Sequence, residues 1–302
     1  MDQITKGVTQ MKKVLAAIGK ALAYFAVYLL ASNVATFIIS AIYGYFKGRE
    51  YGAAGYSYEE SQALYQNDVV AMTGIFLMAG ALLTLLTYFI IEKVKKSSLA
   101  KEADIKKVSG KQLGLTVVGA LGGMFFMNFM LSILPIPAEL MGGLSSGMSK
   151  LTSYPFWQAI LANALLVPIM EEVVFRGYIF NRLEKGMPTI VAALISSVAF
   201  GIVHGGIVWG TWAFFLGIII CVVRIKSGSI VPGIIFHIIM NTFAMIVSYF
   251  PVLDKLSTAG VYILTAVGGI LVAVYVAGIL MDKKALTADS EKTEVVVTSS
   301  KS

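Results

Sequence analysis

The stretch that decides the fold is residues 165–177, LLVPIMEEVVFRG, where two adjacent carboxylates and an arginine interrupt an apolar run. Glu172 and Arg176 are four residues apart, so on a helix they share one face and can pair. Glu171 points about 100° away from them, which predicts that it faces a cavity. Pro168 has no backbone N–H and clashes with the preceding turn, so a kink is expected just before the carboxylates.

These charges stand in a chain with the composition of a membrane protein. Of its 302 residues, 57% are hydrophobic and 14% are charged, whereas soluble domains carry about 25% charged residues. A helix needs about 20 apolar residues to cross a hydrocarbon core of about 30 Å. We therefore predict an all-α, polytopic transmembrane helical bundle of about eight spans. The predicted spans are residues 21–46, 69–91, 113–134, 156–180, 188–204, 208–223, 230–250 and 260–280.

Basic residues fall in every second loop of this arrangement. They occupy the N-terminal segment, the loop after the second span and the segments after the fourth, sixth and eighth spans, while the alternate loops are neutral or acidic. Cytoplasmic loops carry the excess of Lys and Arg. The pattern predicts a multi-pass protein of the cell membrane with both termini in the cytoplasm. It also accounts for the net charge of +7, so nucleic acid is not expected as a partner.

The sequence divides into three regions. Residues 1–112 hold two spans and a basic cytoplasmic loop, and residues 113–281 form a six-span region. Residues 282–302 are polar and charged, and we expect them to be disordered. Residues 137–155, rich in Gly and Ser, are expected to form a surface loop with a short interfacial helix.

The chain has only two histidines, and both lie in apolar spans. His204 ends the fifth predicted span, four residues after Phe200. His237 lies inside the seventh, four residues before Asn241, so these two side chains share a helix face. A lone buried histidine is commonly a satisfied core residue. The joint occurrence of two Glu, Arg, two His and Asn in apolar spans favours a functional site assembled across helices, since ionisable residues in lipid are costly.

Such a site allows two kinds of chemistry. A carboxylate can act as general base on water while an imidazole orients the water or moves the proton, and a His–Asn pair can stabilise an oxyanion. Alternatively, Glu171, His204 and His237 would make a catalytic zinc set, although no HExxH motif is present. The sequence leaves the need for a metal open, with zinc as the candidate. Cys221 lies in an apolar run without a histidine near it in sequence, so activated-water hydrolysis is favoured over covalent catalysis.

The chain resembles the CPBP/Abi family, which comprises intramembrane proteases related to the CAAX prenyl endopeptidases together with bacteriocin self-immunity proteins. The resemblance covers residues 156–250, the expected catalytic core. It rests on three motifs in chain order: E-E-x-x-x-R at 171–176, F-x-x-x-H at 200–204 and H-x-x-x-N at 237–241.

The resemblance implies a membrane-embedded conical cavity and an endopeptidase that cleaves a membrane-associated, hydrophobic or lipidated peptide or protein. Glu171 would activate water with the help of His204, and His237 with Asn241 would form the oxyanion site. The supporting residues implied are Glu172, Arg176 and Phe200. Membrane lipid and a membrane-anchored peptide are the expected partners, and the oligomeric state stays open.

Two other functions remain as alternatives. A non-catalytic immunity or scaffold protein would keep the fold and bind a partner, but the presence of every motif position argues against it. An ion-coupled transporter could use the same groups as a relay, but paired broken helices are not evident in the two halves.

Counting residues places Glu171 in the cytoplasmic half of its span and His204 near the outer end of its own span. The two residues can meet only if the helices are tilted or if the span boundaries differ from those given above.

Overall fold

The computed structural model describes residues 2–250, 253 and 255–281, and the tail predicted at 282–302 lies outside the described residues. The described residues form helices and contain no β-strand, which confirms the all-α prediction. The helices are α1 Asp2–Ala53, α2 Tyr58–Ala71, α3 Thr73–Val94, α4 Leu99–Glu102, α5 Gly110–Ile133, α6 Ala138–Leu151, α7 Phe156–Leu183, α8 Thr189–His204, α9 Ile207–Ser227, α10 Val231–Tyr249 and α11 Thr258–Leu280.

Every predicted span overlaps one of these helices, although the second, 69–91, begins in the last turn of α2 and continues through α3. Within the described part of the chain, six of them are long and apolar enough to cross a membrane: α1, α3, α7, α9, α10 and α11. The prediction of a polytopic helical bundle is thereby confirmed. By length and composition, six helices qualify as spans, whereas about eight spans were predicted. The other two predicted spans are α5, with 24 residues, and α8, with 16. Sixteen residues rise only about 24 Å, which is short of a hydrocarbon core of about 30 Å.

Helix α1 extends well beyond its predicted span. It has 52 residues, equivalent to about 78 Å, so the basic segment before Ala21 continues the same helix out of the apolar region. The predicted loop at 137–155 contains α6, a helix of 14 residues. This agrees with the expected short helix in that segment.

Helix α7 lies at the centre of the bundle. Two thirds of its most apolar window (67%) is buried inside the protein, against 11% for α1 and for α11. Its neighbours are α1, α3, α8 and α10. The carboxylates of residues 171 and 172 are therefore surrounded by protein rather than lipid, which is where ionisable groups in a membrane protein are tolerated.

Small residues set the position of α8 beside α9. A Cβ on Gly201 would lie 2.7 Å from the carbonyl oxygen of Gly210, so the two backbones touch. Gly205 and Gly206 have φ of +65° and +63°, a region that favours glycine. They end α8 directly after His204 and turn the chain back into α9.

The packing of α5 against α11 also depends on close backbone approach, as is common between membrane helices. A Cβ on Gly122 would lie 2.9 Å from the carbonyl oxygen of Gly268 and 2.8 Å from the nitrogen of Val272, whereas a Cβ on Gly114, in the same helix, would meet nothing within 4 Å.

Gly122→Ala is therefore expected to lower the free energy of unfolding by about 1–3 kcal/mol through overpacking. Gly114→Ala is the matched control and should be neutral or stabilising by up to about 1 kcal/mol, because alanine is the better helix former. Thermal unfolding of both variants in the same detergent measures the difference. Equal effects of the two substitutions would show that the α5–α11 contact is not as close as described.

Candidate active site

The helix that carries the two carboxylates departs from regular α-helical geometry in two places. Within α7, residues Ile160–Leu166 and Glu172–Phe180 form wider π-helical turns, and the α-helical segment Val167–Glu171 separates them. The distortion expected around Pro168 takes this form. Wide turns of this kind are frequent at functional sites because they move side chains out of the regular helical register.

Glu172 and Arg176 form the predicted ion pair. Arg176 Nη1 donates to Glu172 Oε1 at 2.9 Å, and both side chains are completely buried. The guanidinium carbon of Arg176 also lies 4.3 Å from the centre of the Phe200 ring, a cation–π contact in a desolvated place. Removing one member of a buried pair leaves the other as an uncompensated charge, so each holds the other in position.

Two glycines make room for this ion pair. A Cβ on Gly217 of α9 would lie 3.2 Å from Arg176 Nη2, and a Cβ on Gly233 of α10 would lie 3.3 Å from Glu172 Oε2. Both distances are tighter than ordinary contacts, so larger residues at these positions would press on the charged groups. Sequence analysis did not identify either glycine, because nothing local to them indicates a neighbour on another helix.

His237 lies between the two carboxylates. Its Nδ1 is 3.0 Å from Glu172 Oε1, and its Nε2 is 3.8 Å from Glu171 Oε2. A carboxylate paired with arginine can only accept a hydrogen bond, so Nδ1 carries the proton and donates to Glu172. The ring is thereby oriented with Nε2 toward Glu171. The structure thus brings together Glu171, Glu172, Arg176 and His237 from two different helices.

Asn241, one turn after His237, is held by the distorted part of α7. Its Nδ2 donates to the backbone carbonyl of Asn163 at 2.8 Å. That carbonyl is available to a side chain because no backbone N–H of the π-helix bonds to it. The Val167 amide bonds to Ala162, five residues back, and the next donor in this register would be residue 168, which is a proline without an N–H.

Asn163 itself is fixed from two sides. Its Nδ2 donates to the Tyr154 hydroxyl and lies 3.8 Å from Met245 Sδ. The side chain is nearly buried, with 8% of its surface exposed. Sequence analysis missed Asn163 and Tyr154. The available signal was a polar residue within an apolar run, five positions before a proline.

His204 contacts Phe200, and the Phe200 ring lies between His204 and the rest of the site. Its Nδ1 donates to the Phe200 carbonyl at 2.7 Å, and its ring is 4.4 Å from the Phe200 ring, centre to centre. The same phenyl ring lies 5.8 Å from His237. Among the hydrogen bonds and ion pairs of the described residues, none joins His204 to Glu171.

The candidate zinc set is not assembled. Within the described residues, no three His, Cys, Asp or Glu side chains come together as metal ligands, and the three candidate ligands Glu171, His204 and His237 do not form such a group. The reason is geometric: His204 faces the Phe200 carbonyl, and Nδ1 of His237 is engaged by Glu172. Cys221 is buried with its sulfur 3.8 Å from Ser197 Oγ, so it packs in the core.

Comparison with known proteins points to one family. The family model described as "Type II CAAX prenyl endopeptidase Rce1-like" matches residues 153–243, which include every site residue described above. The "Putative membrane peptidase YdiL" of Bacillus subtilis (strain 168) is 32% identical over 111 residues, covering 37% of this chain and 46% of that protein. The "UPF0177 protein YxdF" of Lactococcus lactis subsp. lactis (strain IL1403) is 32% identical over 130 residues, covering 41% of this chain and 72% of that protein. The chain thus spans about half the length of the first of these relatives. No solved structure matches the chain significantly.

Pro168→Ala is expected to release Asn241, because the new N–H at 168 competes for the Asn163 carbonyl. Solid-state NMR of the protein in bilayers, with ¹³C at the Asn163 carbonyl and ¹⁵N at Asn241 Nδ2, measures the distance between these atoms. We expect a strong dipolar coupling in the wild type and its loss in the variant. Pro155→Ala is the control, since Pro155 precedes the first turn of the same helix, where an N–H has no helical acceptor. A coupling that survives Pro168→Ala would contradict this role of the proline.

Proposed function

This chain belongs to the CPBP/Abi family, and on that premise we propose that it is an intramembrane endopeptidase. Its substrate would be a membrane-associated, hydrophobic or lipidated peptide or protein. The observation that carries the proposal is the placement of His237 between Glu171 and Glu172 inside the bundle. The carboxylate that is not paired with arginine can act as a base. The other carboxylate holds the imidazole in an orientation suited to proton transfer at this buried position.

Glu171 is the proposed base. Its Oε2 lies 3.8 Å from His237 Nε2, too far for a direct hydrogen bond. One water molecule can lie about 2.8 Å from both atoms. In that position it would give its proton to the carboxylate as its oxygen attacks the peptide carbonyl. Glu172 is already occupied by Arg176 and by His237 Nδ1, so its part would be to orient the imidazole.

Asn241 is the proposed donor to the oxyanion. One N–H of its amide is held by the Asn163 carbonyl, which fixes the plane of the side chain. The second N–H can then donate to the substrate's carbonyl oxygen as negative charge develops there, without any further ordering of the side chain. Preorganised donors of this kind stabilise the transition state because they need no reorientation during the reaction.

His204 is proposed to assist from the other side of Phe200. Because a carbonyl only accepts hydrogen bonds, Nδ1 of His204 carries the proton that goes to the Phe200 carbonyl. This leaves Nε2 of the neutral ring as the nitrogen that can accept a proton or bind water. The place of His204 directly before two glycines with positive φ gives it a defined position at the end of α8.

Glu171→Gln is expected to lower kcat by about 10²–10⁴-fold, the range for loss of a general base, while leaving thermal stability close to that of the wild type. The assay follows cleavage of lipidated and unlipidated hydrophobic peptides by mass spectrometry, with the protein in liposomes. Glu139→Gln is the control, since this exposed carboxylate lies on α6, away from the site. Cleavage at the wild-type rate by Glu171→Gln would contradict the proposal.

The neighbouring substitution Glu172→Gln distinguishes the role of Glu172 from that of Glu171. It removes the charge that balances Arg176, so we expect a loss of about 3–5 kcal/mol in the free energy of unfolding, as for other broken buried pairs. Thermal unfolding alongside the cleavage assay measures this. If Glu171→Gln destabilised the protein as much as Glu172→Gln, the assignment of separate roles would be wrong.

A further inference from the structure

A polar cavity lies away from the active site, where α1, α3 and α7 leave the apolar region. Its volume is about 500 Å³. It is bordered by the ends of α3 and α7, by α4 and by the first half of α1. The residues that line it are Lys13, Ala16, Ala17, Lys20, Tyr24, Lys95, Glu102, Arg182 and Lys185.

One face of α1 forms a wall of this cavity. The residues that α1 contributes follow a helical spacing of three to four, so they form a stripe along one side of the helix. Alanines at 16 and 17 leave space between the two lysines, and Tyr24 closes the inner end. The segment after α7 is fastened to the same helix, since Gln10 Nε2 donates to the Gly186 carbonyl at 3.2 Å.

Two of the cavity's five cations are already paired. Arg182 Nη2 donates to Glu102 Oε2 at 2.6 Å, and this hydrogen bond lowers the pKa of Glu102, which keeps the carboxylate ionised. Lys95 lies 3.4 Å from the buried Glu92 and also donates to the Tyr24 hydroxyl. The guanidinium carbon of Arg182 is 5.2 Å from the centre of the Tyr24 ring. These contacts connect α1, α3, α4 and α7 at the base of the cavity.

The other three cations form no ion pair with a described residue, although Lys185 lies close enough to Glu102 to help lower the pKa of that carboxyl. Lys13, Lys20 and Lys185 form no salt bridge with any residue that the structure describes. Three ammonium groups around one concave space produce a positive potential that attracts anions. The cavity therefore has the charge and the volume of an anion-binding site.

The position of the cavity indicates the kind of anion. It lies where α3 and α7 end and α1 leaves its apolar stretch, which is the depth of the lipid headgroups in a bilayer. Basic pockets between helices at this depth bind phosphate-bearing headgroups. We propose that this cavity binds a phosphate-bearing anion, either the headgroup of an anionic lipid or a free phosphate. The site is separate from the catalytic residues, so the proposal does not depend on the proposed protease activity.

The test compares two triple variants with the same change in charge. Lys13→Gln, Lys20→Gln and Lys185→Gln together remove the three cations of the cavity that form no salt bridge in the described part of the chain. The matched control combines Lys12→Gln, Lys107→Gln and Lys111→Gln, three exposed lysines that do not line it. Each protein in neutral detergent is titrated with phosphatidylglycerol, with phosphatidylcholine or with inorganic phosphate, and thermal unfolding is followed by tryptophan fluorescence.

We expect phosphatidylglycerol to raise the Tm of the wild type and of the control triple by a few degrees, and to leave the Tm of the cavity triple unchanged. A comparable shift with inorganic phosphate would identify a free anion as a sufficient ligand, whereas a shift with phosphatidylglycerol alone would identify the lipid. The proposal is overturned if neither ligand stabilises the wild type, if phosphatidylcholine acts equally, or if both triples lose the shift to the same extent. Because the readout is binding, these results stand whether or not cleavage is observed.

Discussion

A buried charge must be balanced where it lies, and in this protein that requirement is met by the ion pair of Glu172 and Arg176. Both side chains are fully enclosed, so neither can recover its lost hydration if the other moves. The groups around them are arranged accordingly. Gly217 and Gly233 leave space for the charged atoms, Phe200 lies against the guanidinium, and His237 donates to the shared carboxylate oxygen.

The same ion pair separates the roles of two adjacent glutamates. Oε1 of Glu172 is engaged by both Arg176 and His237, while Glu171 lies 3.8 Å from His237 Nε2, a distance that leaves room for a water. The wide turn before Pro168 completes the arrangement, because this turn and the missing N–H of the proline leave the Asn163 carbonyl to accept from Asn241. His237 and Asn241 are thus each positioned by a group outside the proposed chemistry, the Glu172 carboxylate and the Asn163 carbonyl.

The local features of this site could be predicted from the sequence. The pairing of Glu172 with Arg176 follows from a spacing of four residues, and the helical, membrane-spanning character follows from long apolar runs. The contacts that join helices could not be predicted. His237 and Glu172 are 65 positions apart, and Asn241 and Asn163 are 78 apart, so no local pattern relates them. The sequence left the need for a metal open for the same reason, since a list of ligand types does not say that His204 turns to the Phe200 carbonyl.

The central claim is that Glu172 orients His237 through Nδ1. The most direct measurement is solid-state NMR of the protein in bilayers, with ¹⁵N in the histidine rings and ¹³C in the glutamate carboxylates. The chain has only two histidines, so a His204→Gln sample assigns both. We predict that Nδ1 of His237 carries a proton and shows a strong dipolar coupling to the Glu172 carboxylate carbon. An unprotonated Nδ1, or a His237 ring without coupling to Glu172, would contradict the account.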